Sequence, residues 1–419
     1  MTLDLRSVGQ SEAEAFTRSV YVAFGNVPHE INLARGIDRF RPDFALGVYD
    51  QGRIVAGASA FPLEMTLPAG PGQTYPLVAL PGVTAVGVLP SHRRQGLLTR
   101  LMIHQLADLR QRGYAMSILL ASESNIYGRF GYGLATQYQS VAVERSRAAF
   151  RPEAQGMVAR GRIRMIDSDE VTKVLPLVHD RARRTRPGEC RRPDRFWPWH
   201  VKDPEHERRG SGARLYAVHE SAAGEADGWV SYRVRDNWVR GGLPRHEASI
   251  DDLVGTDPAV RASLWHFVLN LDLVEEVTAR LQPLDEPLRW MLADGRRVRT
   301  TELSDHLWLR ILDIPAALAA RGYGGSERLV LDVTSPDPTV AGRFVLETGP
   351  TGATCRPART GENAQLALGL ADLGAIYLGG VASSVLAAAG RVTELHPRAL
   401  AVADRLFASP VAPFCSLHF

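Results

Sequence analysis

The chain has 419 residues, a length that favours two or three domains over a single core. Hydrophobic residues make up 45% and charged residues 23%, as in globular proteins, and a formal net charge of +3 is too small at this length to indicate a nucleic-acid partner. The three cysteines, Cys190, Cys355 and Cys415, form no C-x-x-C pair, which argues against a zinc or disulfide framework and favours a reducing cytoplasm.

The N-terminal part is expected to alternate strands and helices, and no secretory signal is expected at its start. The predicted elements are, in chain order, strands at 45–49 and 53–61, a loop at 67–76, a strand at 84–88, a helix at 96–112 and a strand at 114–121. Asp50-Gln51-Gly52 is the turn between the first two strands, and Gly113 ends the helix. The Gly/Pro loop lacks the Lys-Ser/Thr and the following helix that a phosphate-binding loop requires.

The middle part repeats this alternation more loosely, with predicted strands at 215–219 and 228–235 and a helix at 260–271. No second Arg-x-x-Gly turn occurs there. Residues 181–196 are strongly basic and could form an anion or nucleic-acid patch. We interpret them instead as a solvated linker or loop, because acidic residues flank them and proline interrupts them twice.

The last part is a distinct unit with an apolar core. Pro315 lies near the start of a helix that Gly322 ends, and a final helix is predicted near 400–407. The apolar stretch 373–390 is rich in Gly, Ala and Ser and falls short of a clean membrane span, with Asp372 at its edge. We therefore predict a buried strand-turn-helix there and no membrane span.

The stretch VTAVGVLPSHRRQGLLTRLMIHQL changes from an apolar strand to a helix across two arginines and Gly96. A helix start has unpaired N–H groups and about half a positive charge. Glycine lets a ligand approach the backbone, and Arg93 and Arg94 offer forked donors for phosphate oxygens. Together these features predict a diphosphate-binding site at a strand-to-helix junction.

This turn resembles motif A of the GNAT N-acetyltransferases, Arg/Gln-x-x-Gly-x-Gly/Ala. Arg93 and Gly96 match, whereas Leu98 replaces the second small residue. The preceding Val-Gly-Val is similar to the strand with which that family pairs the pantetheine amides. IYGRFGYGLAT, residues 126–136, resembles the family's short Tyr-x-x-x-Gly-Phe/Tyr helix.

The order of the three parts resembles the enhanced intracellular survival (Eis) family of bacterial acetyltransferases. The resemblance implies a mixed α+β and α/β fold, with an active GNAT domain at 1–145, a degenerate GNAT-like domain at 146–303 and a sterol-carrier-protein-like domain at 304–419. It also implies acetyl-CoA as co-substrate, a small-molecule amine substrate of the aminoglycoside, polyamine or lysine type, and a cytoplasmic homohexamer. No H-E-x-x-H or EF-hand pattern occurs, and we predict no metal.

Carried over residue by residue, the resemblance makes Tyr127 the general acid and the α-carboxylate of Phe419 the general base. Phe24, Glu30 and Asp38 lie in a segment that could line an amine pocket. The residues implied to contact acetyl-CoA are Val86, Gly87, Val88, Arg93, Arg94, Gln95, Gly96, Leu97, Leu98, Thr99, Ser122 and Glu123.

The chemistry fits these roles unequally. A tyrosine of pKa ~10 can protonate a departing thiolate of pKa ~8.5 without a large mismatch, although Tyr127 could also be a packing residue, as Tyr132 and Tyr138 could. An α-carboxylate lies about 7 pKa units, or about 9 kcal/mol, below a primary ammonium, a gap that burial of both groups narrows. His418 is a second candidate base, and Cys415 is interpreted as a packing residue.

A second hypothesis is a lipid or acyl carrier protein in which the last domain is functional and the GNAT site is idle. The intact turn from Arg93 to Gly96, together with Tyr127, argues against an idle site.

Overall fold

The computed structural model describes residues 3–419 and divides into two compact units. Unit 1 combines the chain up to Thr136 with His306–Phe419, and unit 2 is Gln137–Asp305. The first segment of unit 1 contains β1 Asp4–Ser7, α1 Ala13–Ala23, α2 Glu30–Arg39, β2 Leu46–Asp50, β3 Arg53–Thr66, β4 Leu77–Val88, α3 Leu97–Gln111, β5 Met116–Leu120, α4 Ser124–Tyr127 and β6 Gly133–Leu134.

Unit 2 contains β7 Gln137–Glu144, α5 Pro152–Met157, β8 Gly161–Ile166, α6 Ser168–Arg183, α7 Phe196–Val201, β9 Leu215–Ser221, β10 Ala226–Arg235, β11 Trp238–Val239, β12 Leu243–Pro244, β13 His246–Gly255, α8 Pro258–Leu269, β14 Val274–Gln282, α9 Leu288–Met291 and β15 Val298–Asp305. The second segment of unit 1 contains β16 Leu307–Ile311, α10 Ile314–Ala320, β17 Arg328–Thr334, β18 Gly342–Gly349, β19 Gly352–Pro357, β20 Leu366–Gly369, α11 Leu370–Ile376, α12 Ser383–Ala388, β21 Val392–Glu394 and α13 Ala399–Phe407.

The first sheet has the order β1-β2-β3-β4-β5-β16-β6 and carries helices on both faces. Side chains alternate along β3: Ala58 packs in a cluster with Leu101 of α3, whereas a Cβ on Gly57 would lie 2.6 Å from the ring of Phe16 in α1. The predicted hairpin at 45–61 is confirmed, with Gln51 and Gly52 at φ 48° and 79°. Both β3 and β4 are longer than predicted.

Helix α3 ends as the sequence predicts, with Gly113 at φ 82° just beyond it. The glycine adopts the left-handed conformation that closes a helix at little steric cost. Leu101, Met102, Leu106 and Leu109 are buried against the sheet, which matches the helical spacing of the apolar residues.

Unit 2 is built around a sheet of order β15-β7-β14-β13-β10-β9-β8. Helix α8 starts at a capping Asp257, whose carboxylate accepts from the N–H groups of Ala259 and Val260, and its apolar face is buried as predicted. The interpretation of 181–196 as a solvated linker is wrong for Arg183 and Arg192. Both guanidinium groups are buried, and Arg192 donates to the Asp252 carboxylate at 2.5 and 3.2 Å.

The third sheet has the order β19-β18-β17-β20-β21 and lies in unit 1. The predicted strand-turn-helix at 373–390 is wrong, because this stretch contains the end of α11 and all of α12 instead. Its apolar side chains Leu373 and Ile376 are buried. Among residues 3–419, no helix combines the length and apolarity needed to cross a bilayer.

Two strands are paired with strands that are distant from them in the sequence. β16 lies between β5 and β6, and β7 lies between β15 and β14 in the sheet of unit 2. β16 follows the predicted boundary near 303 but lies in the first sheet, and β7 precedes the predicted boundary near 145 but lies in the sheet of unit 2. The two boundaries remain predictions. Apolar strand patterns do not specify the sheet that a strand joins.

Candidate active site

Strand β4 is paired with β3 along one edge, but along its other edge the pairing with β5 ends part of the way along the strand. It pairs in parallel with β5 at two positions, Gly82↔Ile118 and Val83↔Leu119. Ala85 then takes φ 54°, and the register with β3 shifts at the same level, as in a β-bulge. Within residues 3–419, the edge of β4 beyond Val83 that faces β5 has no strand partner.

This open edge presents backbone N–H groups. Leu89 donates its N–H to the Val55 carbonyl, 2.9 Å away on the β3 side. Since successive residues of a strand direct their N–H groups to opposite edges, those of Val86 and Val88 point to the open side. These two unpaired N–H donors, separated along the strand by one residue, suit an extended ligand with amide or acyl oxygens.

The turn that follows β4 has the geometry of an anion-binding loop. Arg94 and Gly96 both take left-handed conformations, at φ 63° and 76°, and α3 begins directly after Gly96. The first N–H groups of α3 therefore point out of the helix at this turn. The Arg94 side chain is exposed and, within the described residues, makes no hydrogen bond or ion pair.

The side chain of Arg93 has another role than the one predicted from the sequence. Its guanidinium donates to the carbonyl of Ala23 at 2.8 Å and of Val88 at 3.4 Å. Ala23 is the last residue of α1, so its carbonyl lacks a partner within that helix. Arg93 thus fastens the turn to the protein, and Arg94 is the arginine that remains available to a ligand.

A groove begins at the same turn and follows the exposed face of α3. It has a volume of about 780 Å³ and is lined by Leu5, Gly96, Thr99, Arg100, Ile103 and His104. Ile103 is 61% exposed, which is unusual for a large apolar side chain. The predicted ligand-binding residues Gly96 and Thr99 therefore lie at the border of an open, partly apolar surface.

Tyr127 lies at the end of α4 and is 5% exposed. Its ring packs in a cluster with Val83 and Leu119, the last residues that pair β4 with β5. Burial raises the pKa of Tyr127, a hydrogen bond with Ser122 lowers it in part, and the charge of Glu123 raises it. The phenol is therefore held in its protonated form beside the opening of the sheet.

The two other tyrosines that the sequence offered have their hydroxyl groups engaged. Tyr132 is fully buried and its hydroxyl lies 2.9 Å from that of Ser117; burial raises the pKa of Tyr132 to about 12. Tyr138, in unit 2, donates to the Glu302 carboxylate at 2.9 Å. Among these three, Tyr127 is the one whose hydroxyl interacts with an exposed residue, Ser122, which follows β5.

The C-terminal tail is anchored and reaches the same strand. Phe414, Cys415 and Leu417 are buried. The ring of Phe419 lies so close to Gly82 that a Cβ on that glycine would be 2.8 Å from Cε2 of the ring. Cys415 packs with its Sγ 3.7 Å from the Leu417 carbonyl, in line with a packing role, and His418 is exposed.

Tyr127 and Phe419 thus approach one point of β4 from opposite faces. Gly82 and Val83 are consecutive, so their side-chain positions face opposite sides of the sheet. Phe419 contacts the Gly82 side and Tyr127 packs on the Val83 side. This arrangement suits a reaction between two molecules that enter the opening from the two faces.

The remaining sequence predictions are met to different extents. Phe24 is 52% exposed and its ring lies 4.0 Å from a Cβ placed on Gly87, so it borders the open strand. Glu30 and Asp38 are exposed residues of α2. The sequence predictions missed Gly82, although a glycine within the apolar run of β4 signals a close approach of another group to the backbone.

Within residues 3–419, no group of three or more His, Cys, Asp or Glu side chains could hold a metal.

Comparison with protein families assigns most of the chain to known domains. Residues 4–135 and residues 188–311 each match an acetyltransferase (GNAT) domain. Residues 314–416 match the sterol carrier protein domain.

Full-length relatives give the same result. An N-acetyltransferase of Streptomyces avermitilis is 37% identical over 416 residues, which cover 99% of this chain and 98% of that protein. The N-acetyltransferase Eis of Mycobacterium tuberculosis is 33% identical over 372 residues, 87% of this chain and 86% of that protein. The crystal structure of an Eis protein from Mycobacterium abscessus has a TM-score of 0.85 at 30% identity and covers 99% of this chain and 100% of that one.

Proposed function

Because the chain belongs to the Eis family of GNAT N-acetyltransferases, we propose that it transfers an acetyl group from acetyl-CoA directly to a small-molecule amine in a ternary complex. The observation that carries this proposal is the placement of Tyr127 and Phe419 on opposite faces of β4, at the point where its pairing with β5 ends. A ternary complex requires that both substrates reach one point at the same time, and an opening accessible from two faces allows this.

The residues at the open edge and the turn fit acetyl-CoA, which when bound supplies an acetyl group activated as a thioester. The N–H groups of residues 95–99 and the Arg94 guanidinium would hold the diphosphate. The N–H groups of Val86 and Val88 would pair with the pantetheine arm and polarise the acyl carbonyl. Arg93 would keep the turn in place, while Ser122 and Glu123 follow β5 on the other side of the opening.

Tyr127 would act as the general acid. The phenol is protonated through the neutral range and can donate a proton to the departing thiolate, whereas burial raises its pKa and so widens the mismatch with the thiol. The hydrogen bond with Ser122 favours the phenolate that results, because it opposes the effect of burial on the same pKa. Tyr127 would then regain a proton, and the Phe419 carboxylate would release the one taken from the amine, by exchange with solvent.

The α-carboxylate of Phe419 would act as the general base. The ring packs against Gly82, and Phe414 and Leu417 are buried, which would restrict the movement of the terminal carboxylate. A primary ammonium holds its proton about 7 pKa units more tightly than an α-carboxylate. The pocket must therefore lower the pKa of the amine by desolvation, and the exposed ring of Phe24 is an apolar surface beside the open strand.

The substrate class and the assembly follow from the family resemblance. We propose an amine of the aminoglycoside, polyamine or lysine type, a homohexamer and a cytoplasmic location. The carrier hypothesis remains the alternative outcome of the experiment that follows.

The test is a panel of amines with the purified full-length protein and acetyl-CoA. Released CoA is measured with a thiol reagent, and the products are measured by mass spectrometry. An aminoglycoside, spermidine and a lysine peptide serve as amines, and a sugar alcohol without an amine serves as the control. The proposal predicts CoA release that depends on an amine, with acetyl added to nitrogen. Absence of release with every amine, together with lipid that co-purifies with the protein, would favour the carrier hypothesis.

A further inference from the structure

Arg321 is a buried cation that the proposed acetyl transfer does not use. The residue is 2% exposed and follows the last turn of α10. Among residues 3–419, its guanidinium forms no ion pair with a carboxylate, and the charges that act on it come from tyrosines. A buried charge is costly unless other groups compensate it, so uncharged groups must do so here.

Three backbone carbonyls and three aromatic rings surround the guanidinium group. It donates to the carbonyls of Gly322 at 2.9 Å and Phe407 at 3.3 Å, and also to that of Tyr377. Tyr377 directly follows α11 and Phe407 ends α13, so both carbonyls belong to helix C-termini, which carry partial negative charge. The guanidinium carbon lies 4.7 Å from the ring centre of Tyr323, 5.8 Å from that of Tyr377 and 5.1 Å from that of Phe407. Arg321 therefore joins the ends of three helices at one point.

The C-terminal tail begins at this point. The residues that lead from Phe407 to Phe419 pass a pair of glycines in the segment between α11 and α12. A Cβ on Gly379 would lie 2.7 Å from the Phe407 carbonyl, and a Cβ on Gly380 would lie 3.0 Å from Cγ of Pro413. The tail thus packs tightly on the backbone from its first residues, and its direction depends on where Phe407 is held.

The loop that leads into β4 is attached beside the same residue. The N–H of Gly322, next to Arg321, donates to the carbonyl of Pro68 at 2.8 Å, and a Cβ on Gly322 would lie 2.2 Å from the loop backbone. This loop joins β3 to β4, whose Gly82 contacts the ring of Phe419. The tail and β4 therefore start from one anchored point and meet again at the candidate active site.

We propose that Arg321 is a positioning residue for the general base: it holds the start of the tail relative to the start of β4 and thereby sets the place of the Phe419 carboxylate. This inference rests on the proposed function, in which that carboxylate takes the proton from the amine. A misplacement of a catalytic group by about 1 Å can cost about 10²-fold in rate. Lysine would replace Arg321 only in part, because it has the charge without the planar fork that reaches several carbonyls.

The test compares Arg321→Met and Arg321→Lys with the wild type on two substrates. One is the amine of the panel that is acetylated fastest, and the other is its analogue with an aminooxy group at the reacting end. The ordinary amine is protonated at neutral pH and needs the base, whereas the aminooxy nitrogen is already neutral. Arg321→Met should therefore lower kcat about tenfold or more with the amine and much less with the analogue, with the KM for acetyl-CoA unchanged. Arg321→Lys should recover part of the loss.

A second pair of variants keeps the test decisive if Arg321→Met does not fold. Gly379→Ala places a methyl group against the Phe407 carbonyl and should produce the same loss that is specific to the ordinary amine. Gly390→Ala is the matched control, because both glycines have a left-handed backbone, at φ 83° and 72°. A Cβ on Gly390 meets no atom of the described residues within 4 Å, so kcat should remain unchanged with both substrates.

Release of Phe419 by a carboxypeptidase measures the tail without reference to activity. It should be faster in Arg321→Met and Gly379→Ala than in the wild type and in Gly390→Ala. Equal losses of kcat with the two substrates, wild-type kcat in the folded variants, or release of Phe419 that stays as slow as in the wild type would each overturn the proposal. A wild type that releases no CoA with any amine would instead refute the proposed function.

Discussion

Replacing Tyr127 by phenylalanine removes the proposed acid and leaves the packing of the ring intact. The ring contacts the cluster around Val83 and lies 6.1 Å from the ring of Tyr132, contacts that phenylalanine retains. The hydroxyl interacts with Ser122, which is itself exposed. We therefore expect a stability loss of about 0.5 to 1.5 kcal/mol, the usual net contribution of one hydrogen bond.

The expected loss of activity is much larger. A positioned general acid contributes about 10²- to 10⁴-fold, which corresponds to roughly 3 to 5 kcal/mol of the activation barrier. The fall should appear in kcat, while the KM values for both substrates change little, because the hydroxyl acts in the proton-transfer step. The assay is CoA release at saturating amine and acetyl-CoA, with thermal unfolding of the same sample.

Tyr132→Phe is the matched control, since it removes a hydroxyl from the neighbouring tyrosine. This hydroxyl lies 2.9 Å from that of Ser117, which is fully buried and would be left without this partner. The expected cost is about 1 to 3 kcal/mol of stability with kcat unchanged. If Tyr127→Phe keeps wild-type kcat, or if Tyr132→Phe loses activity as steeply while it remains folded, Tyr127 is not the acid.

Three further predictions follow from other contacts. Arg94→Gln should raise the KM for acetyl-CoA about tenfold or more through loss of charged hydrogen bonds. Arg93→Gln should chiefly lower the unfolding temperature, because the Arg93 side chain anchors the turn. Equal effects of both variants on KM would contradict these different roles. Gly82→Ala places a Cβ 2.6 Å from the side chain of Leu63 and 2.8 Å from the ring of Phe419. The displaced tail should lower kcat by about tenfold or more with CoA affinity unchanged in calorimetry, and unchanged kcat would contradict the role of the tail. Burial lowers the pKa of His200 to about 3. Below the ordinary histidine pKa of 6.5, the unfolded chain therefore binds a proton that the folded protein does not bind, and the free energy of unfolding falls as the pH drops. The loss from this histidine at pH 5 is about 2 kcal/mol, and a His200→Gln variant should show a weaker decline of unfolding temperature between pH 7 and 5.

The local elements of the site could be predicted from the sequence because local rules determine them. The strand-to-helix change before Gly96 and the helix end at Gly113 both depend on backbone preferences of neighbouring residues. The different roles of Arg93 and Arg94 could not be predicted, because they depend on the carbonyl of Ala23, which lies seventy positions away.

Long-range contacts explain the other differences. The buried position of Arg192, in the loop between α6 and α7, depends on Asp252, whose carboxylate on β13 neutralises it. The contact between Gly82 and Phe419 joins the two segments of unit 1, and no pattern within either segment encodes it. The same holds for β16, because its apolar residues do not indicate that the chain will lie beside β5 here.

The central claim is that the unpaired edge of β4 and the turn before α3 hold acetyl-CoA, so that its acetyl group lies between Tyr127 and Phe419. A crystal structure of the protein with CoA tests this most directly. We predict diphosphate oxygens within hydrogen-bond distance of the N–H groups of residues 95–99 and of Arg94, and pantetheine amides paired with Val86 and Val88. CoA bound elsewhere, with the strand edge and the turn unaltered, would contradict the account.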